Sequence, residues 1–103
     1  EKLKQLISKS NANGVIILSG DRHIAEISKD TISNLKYPLI DFTSSGLTHS
    51  YSSFISEPNQ YRVSDVVAEK NFGILKFDLK LNQVIMEIRG ENNNLYQSYI
   101  QNY

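Results

Sequence analysis

Asp21, Arg22 and His23 follow directly on the aliphatic run Val15-Ile16-Ile17-Leu18, with only Ser19-Gly20 between. A carboxylate oxygen and an imidazole nitrogen two residues apart suit iron, zinc or manganese. A metal so held polarises a phosphoryl oxygen and lowers the pKa of a bound water, which gives a nucleophile near neutral pH. Arg22 can clamp a phosphate through its planar fork, or form a surface ion pair, for instance with Glu26. Glu26 reads either as a partner that orients His23 or as an exposed strand residue. The other histidine, His49, sits in the small-residue stretch Thr43-Ser44-Ser45-Gly46-Leu47-Thr48-His49-Ser50. That stretch follows a second strand and can face the same edge as Asp21. Its hydroxyls and glycine also fit an ordinary Ser/Thr-rich turn. Asp-x-His is short and common, so spacing alone favours a plain turn with a solvated histidine. No nucleophile elbow is present, and no Ser-His-Asp triad is expected.

The elements that must position these residues are legible in part. Leu3, Leu6 and Ile7 share one helical face over residues 1–11, opposite Lys2, Lys4 and Gln5. Asn11-Ala12-Asn13-Gly14 stops that helix, with Asn or Gly able to take the left-handed cap. Residues 15–18 lack alternation, which predicts a strand buried on both faces. Its carboxyl end delivers Asp21 to His23, the place where α/β sheets bind ligands. Residues 24–28 read as a strand in preference to a helical turn, 29–36 as a loop, and 37–42 as a strand whose start Pro38 restricts. Residues 51–65 have no clear period and carry the turn signal Pro58-Asn59, which predicts a long surface segment.

The C-terminal third predicts an antiparallel meander of strands 72–79, 83–89 and 95–100. Val84, Met86 and Ile88 give the middle strand one apolar face, and Leu75, Phe77 and Leu79 do the same for the first. Lys80-Leu81-Asn82 and Gly90 to Asn94 are the connecting turns. Tyr96, Tyr99 and Tyr103 line the last strand. Aromatics so placed can stack bases, but sheet packing suits them better in a chain without excess charge.

Eleven basic and eleven acidic side chains leave the 103-residue chain with zero formal charge. A nucleic-acid surface normally carries a basic excess. Cysteine is absent, which excludes disulfides and thiolate zinc sites. No stretch approaches the roughly 18 apolar residues of a spanning helix. The chain starts at Glu1, inside an amphipathic pattern, and is expected to be one segment, 1–103, of a longer protein.

Three blocks, GVIILSGDRHIAEIS, YPLIDFTSSGLTHS and NFGILKFD, resemble in order the C-terminal part of the alkaline phosphatase D-type (PhoD-like) metallophosphatases, within the calcineurin-like metallophosphoesterase superfamily. The resemblance covers roughly residues 5–90, and SGDRHIAE is its most specific block. It implies the C-terminal part of an α/β/β/α sandwich and hydrolysis of phosphomonoesters or phosphodiesters at a dinuclear metal centre. The wider superfamily has Gly-His-x-His where this chain has Gly20-Asp21-Arg22-His23. His23 matches the last histidine, and Asp21 replaces the first, as is usual in the D-type branch. The resemblance thus implies Asp21 and His23 as metal ligands, with Arg22 and His49 as candidates for substrate contact. The metal can be iron, manganese, calcium or zinc, and the aspartate favours the harder ions.

The superfamily's earlier motifs, a first D-x-H, G-D-x-x-D and G-N-H-D/E, are not in this sequence, whose one Asp-x-His, residues 21–23, stands in the place of the later Gly-His-x-His. The implied partners are a phosphoester substrate and an N-terminal remainder of the same protein, with no nucleic acid and no membrane span. The isolated segment is expected to bind metal weakly and to lack useful catalysis. Family habit implies a periplasmic or secreted location. The competing expectation is a stand-alone β-rich interaction or structural domain, in which Asp21 and His23 are dispensable. A free edge on the 15–18 strand would favour the first reading, and internal neighbours on both sides the second.

Overall fold

The computed structural model describes residues 2–10, 12–20, 24–32, 35–47, 61–63 and 66–103. Among these residues the chain is a small mixed α/β domain, mostly β, with one α-helix and two three-stranded sheets. Helix α1 is Lys2–Ser10. The first sheet holds β1 (Ile16–Ser19), β2 (Ala25–Asp30) and β3 (Leu39–Ser44) in the order β1-β3-β2. The second is the meander β4 (Phe72–Asp78), β5 (Gln83–Arg89) and β6 (Leu95–Asn102).

Side-chain alternation builds the layers. On β3, Ile40 and Phe42 point one way and Leu39, Asp41 and Thr43 the other. Ile40 and Phe42 join Ala25 and Ile27 of β2, Val67, and Val84, Met86 and Ile88 of β5 in one buried cluster. Each such aliphatic side chain contributes roughly 1.5–3 kcal/mol on leaving water, so β5 is the spine of the domain. The opposite face of the first sheet carries α1, where Lys4 Nζ meets Asp30 Oδ2 at 2.7 Å. The order is therefore helix, sheet, sheet.

The expected meander is present with its turns. Asn82, Asn92 and Asn93 take positive φ values, the left-handed conformation that asparagine tolerates better than most residues. Gly14 also has a positive φ, 68°, four residues beyond the end of α1. Tyr99 and Tyr103 pack against the core.

Three expectations need correction. Strand β1 is not buried on both faces: it pairs β3 in parallel on one side and forms the edge of its sheet among the described residues, with Leu18 67% exposed. Phe77 and Leu79 are exposed, not core-facing, because the inner face of the meander runs past the end of the first sheet. Thr43 and Ser44 belong to β3 and not to the loop after it, and Lys29 and Asp30 extend β2. Of the expected surface segment 51–65, the described residues 61–63 do lie at the surface, with Tyr61 and Val63 exposed, and they line β2: the Lys29 amide donates to the Tyr61 carbonyl and the Val63 amide to the Ile27 carbonyl, both at 2.8 Å.

Candidate functional site

Because β1 and β3 are parallel, with Ser19 beside Thr43, both strands end at the same edge. Gly20 follows one strand and Ser45 the other, and a Cβ on Gly20 would stand 3.8 Å from Ser45 Cβ. Ser45 also donates twice to the carbonyl of Ile24, from its amide at 3.1 Å and its hydroxyl at 3.2 Å. Residues 21–23 are therefore bracketed by two described residues, Gly20 and Ile24, that both adjoin Ser45. Asp21, Arg22, His23 and His49 lie outside the described residues. What the structure supplies is the common edge from which the two stretches depart.

That edge is rigidly built. Asp41 accepts the Ser19 hydroxyl at 2.8 Å and the Thr43 hydroxyl at 3.3 Å, which ties the carboxyl end of β1 to β3. Asn71 is 2% exposed and locks the segment after β3. Its amide donates to the Gly46 carbonyl at 2.9 Å, its Oδ1 accepts the Ser44 hydroxyl at 2.8 Å, and its Nδ2 donates to the Glu69 carbonyl at 2.9 Å. Gly46 has no room for a side chain, since a Cβ would come within 2.5 Å of Asn71 Nδ2. Gly73 is constrained in the same way: a Cβ there would run into the Phe42 ring. The Asn71-Phe72-Gly73 block thus fastens the second sheet to the segment 44–46.

Glu26 is buried and is not an exposed strand residue. Its side chain is 8% exposed and its Oε2 meets Arg62 Nε at 2.7 Å. The face it shares with Asp30 and Asp41 carries three carboxylates, each engaged: Glu26 with Arg62, Asp30 with Lys4, and Asp41 with two hydroxyls. Among the described residues no group of three or more His, Cys, Asp or Glu could hold a metal ion. Asp21 and His23 are one oxygen and one nitrogen donor. That set is right in type for iron, manganese or zinc and too small to complete a site alone.

Sequence reasoning missed Asn71, Asp41 and the Glu26–Arg62 pair. The signal for Asn71 was the NFG block itself, a polar residue and a glycine flanking a strand start. Nothing local announces Arg62 as the partner of Glu26, 36 positions away.

Among the described residues no helix is long and apolar enough to cross a membrane. The chain matches no protein-family model, no curated protein and no solved structure.

Proposed function

We propose that this chain is the C-terminal α/β segment of a PhoD-like metallophosphoesterase, a hydrolase of phosphoric esters. The observation that carries the reading is the parallel pairing of β1 and β3, which brings the stretches containing Asp21-Arg22-His23 and His49 out of one sheet edge. Ligands in α/β sheets bind at such carboxyl edges. The layering of helix, sheet and sheet is what a C-terminal part of an α/β/β/α sandwich would have. Among the described residues β1 has an unpaired edge and Leu18 is exposed, which suits a sheet that continues into further strands of the same protein and supports this reading over a stand-alone structural domain.

In the intact enzyme Asp21 and His23 would hold metal, with the remaining ligands drawn from the rest of the protein. A dinuclear centre, when bound, polarises the phosphoryl oxygen and lowers the pKa of a water. Arg22 would bind and orient the phosphoryl group through paired N–H donors. His49 would approach the substrate from the neighbouring stretch, and the Ser19–Asp41–Thr43 and Ser44–Asn71 contacts would keep both stretches in register. The test is hydrolysis of a generic phosphodiester and a generic phosphomonoester by the full-length protein, before and after chelation. Chelator-sensitive, metal-restored turnover is expected. Absence of turnover with every one of iron, manganese, calcium and zinc would overturn the reading.

A further inference from the structure

Asn13 is the one asparagine of the sequence that a glycine follows. It stands in the link between α1, which ends at Ser10, and β1, which begins at Ile16. Asn13 is exposed, and among the described residues neither its side-chain amide nor the Gly14 N–H has a hydrogen-bond partner. Gly14 has no Cβ to crowd the approach of its own nitrogen to the preceding side chain. The other described asparagines differ on these points. Asn71 is 2% exposed, its Oδ1 and Nδ2 are both bonded, and the bulky Phe72 follows it. Asn102 Oδ1 accepts the Gln83 side-chain amide at 2.9 Å, and Tyr103 follows. Asn82, Asn92, Asn93 and Asn94 each precede a residue with a full side chain.

We propose that Asn13 is a site of spontaneous deamidation in the folded protein, yielding aspartate and isoaspartate. The Gly14 main-chain nitrogen attacks Asn13 Cγ to form a cyclic succinimide, while the Cγ–Nδ2 bond breaks and ammonia leaves with the Gly14 amide proton. Water then adds to either ring carbonyl. Opening at Cγ gives aspartate. Opening at the main-chain carbonyl gives isoaspartate, with the chain rerouted through Cγ. Nothing is oxidised or reduced, and water is the only co-reactant. Both products disturb the joint between α1 and β1. Asn13 lines a hollow with Asp78, Tyr37 and Tyr103, so a new carboxylate joins an existing one beside two aromatic rings, where like charges disfavour each other. Isoaspartate also lengthens the main chain just ahead of Gly14, where space is short: a Cβ on Gly14 would stand 3.1 Å from Tyr103 Cε1. The proposal does not depend on the catalytic reading.

The test is peptide mapping by mass spectrometry of the full-length protein, aged at neutral pH both folded and in guanidinium chloride, with an isoaspartate assay on the same samples. Asn13→Gln is the control, because its longer side chain closes the corresponding ring far less readily. The position is exposed, and an unchanged thermal midpoint of the fresh variant verifies folding. The peptide holding Asn13 is expected to gain the amide-to-acid mass increment ahead of every other asparagine in residues 1–103. Its rate in the folded protein should lie within about tenfold of the unfolded rate, a barrier difference of about 1.4 kcal/mol or less. The gain should be lost in Asn13→Gln. Aged wild type should melt below fresh wild type, and aged Asn13→Gln should match its fresh form. A folded rate lower than the unfolded one by more than about tenfold would overturn the proposal, since packing or another part of a longer protein would then shield Asn13. So would earlier conversion of any other asparagine in residues 1–103, or fully converted wild type with an unchanged midpoint.

Discussion

Ser45 holds Ile24 by two hydrogen bonds to one carbonyl, from its amide at 3.1 Å and its hydroxyl at 3.2 Å. The first described residue after Asp21-Arg22-His23 is thereby fixed to the segment that leads to His49. Distant parts of the sequence become neighbours because β1 and β3 run parallel, and the second sheet reinforces the arrangement through Asn71.

Asn71 is the residue whose loss should loosen that edge most. Asn71→Ala removes the acceptor for Ser44 and the donor to Glu69 in a site that water does not reach. Leaving buried groups unpaired costs about 1–3 kcal/mol, so the variant should unfold at a correspondingly lower denaturant concentration. A midpoint equal to wild type would mean that the block is not a structural fastener.

Gly73 is required by the Phe42 ring. Gly73→Ala should destabilise by about 1–3 kcal/mol through overpacking. Phe42→Leu in the same chain should recover part of the loss, and the double-mutant cycle would then show coupling of at least about 0.5 kcal/mol. Strict additivity would contradict the contact.

The Glu26–Arg62 pair is buried, with side-chain exposures of 8% and 14%. Removing the carboxylate takes away a 2.7 Å ion-pair contact of Arg62 in a buried setting and costs about 1–3 kcal/mol. Glu26→Ala should therefore lower thermal stability strongly, and more than Glu26→Gln. If Glu26→Ala left stability intact and altered only metal content, the carboxylate would act on His23 and not on the fold.

Glu87 sets an acid limit on the meander. The Arg89 guanidinium, at 2.9 Å, holds its carboxyl below the ordinary glutamate value of 4.5, against an opposing push from burial, and Lys76 adds to the lowering. A depressed folded-state pKa contributes stability that is fully present above the unfolded value and is lost as pH falls through the folded one. The thermal midpoint of wild type should thus exceed that of Glu87→Gln near neutrality, and the gap should close as pH falls below the ordinary glutamate value of 4.5 and through the lowered folded one. A gap constant down to strongly acid pH would rule this out.

Much of the fold is legible in the sequence. Val84, Met86 and Ile88 alternate cleanly, and the turn residues around Asn82 and Asn92 mark both hairpins. Leu3, Leu6 and Ile7 mark the helix, although only Ile7 is buried. The failures have a common cause: periodicity reports which residues are apolar and not what covers them. Val15 to Leu18 reads as a doubly buried strand because it is uniformly aliphatic, yet β1 is an edge. Phe77 and Leu79 continue the β4 pattern, yet the sheet opposite ends before reaching them. Of the two readings of Glu26, the exposed strand residue fails, because the residue is buried against Arg62, which no local pattern links to it. That the stretches after residues 18 and 42 can share an edge is legible from each following a strand, whereas the parallel pairing of β1 with β3 and the fastening by Asn71 need the packed sheets.

The central claim is that His23 belongs to the metal shell of a phosphoesterase. The most direct measurement compares full-length wild type with His23→Ala, determining metal content and phosphoester hydrolysis in the same samples. The account predicts that both fall together, metal by at least one ion per chain and activity by roughly a hundredfold or more, the scale on which a metal's polarising role contributes several kcal/mol. Unchanged metal and unchanged activity in His23→Ala would contradict it, and would leave Ser19-Gly20-Asp21-Arg22-His23 as a structural turn.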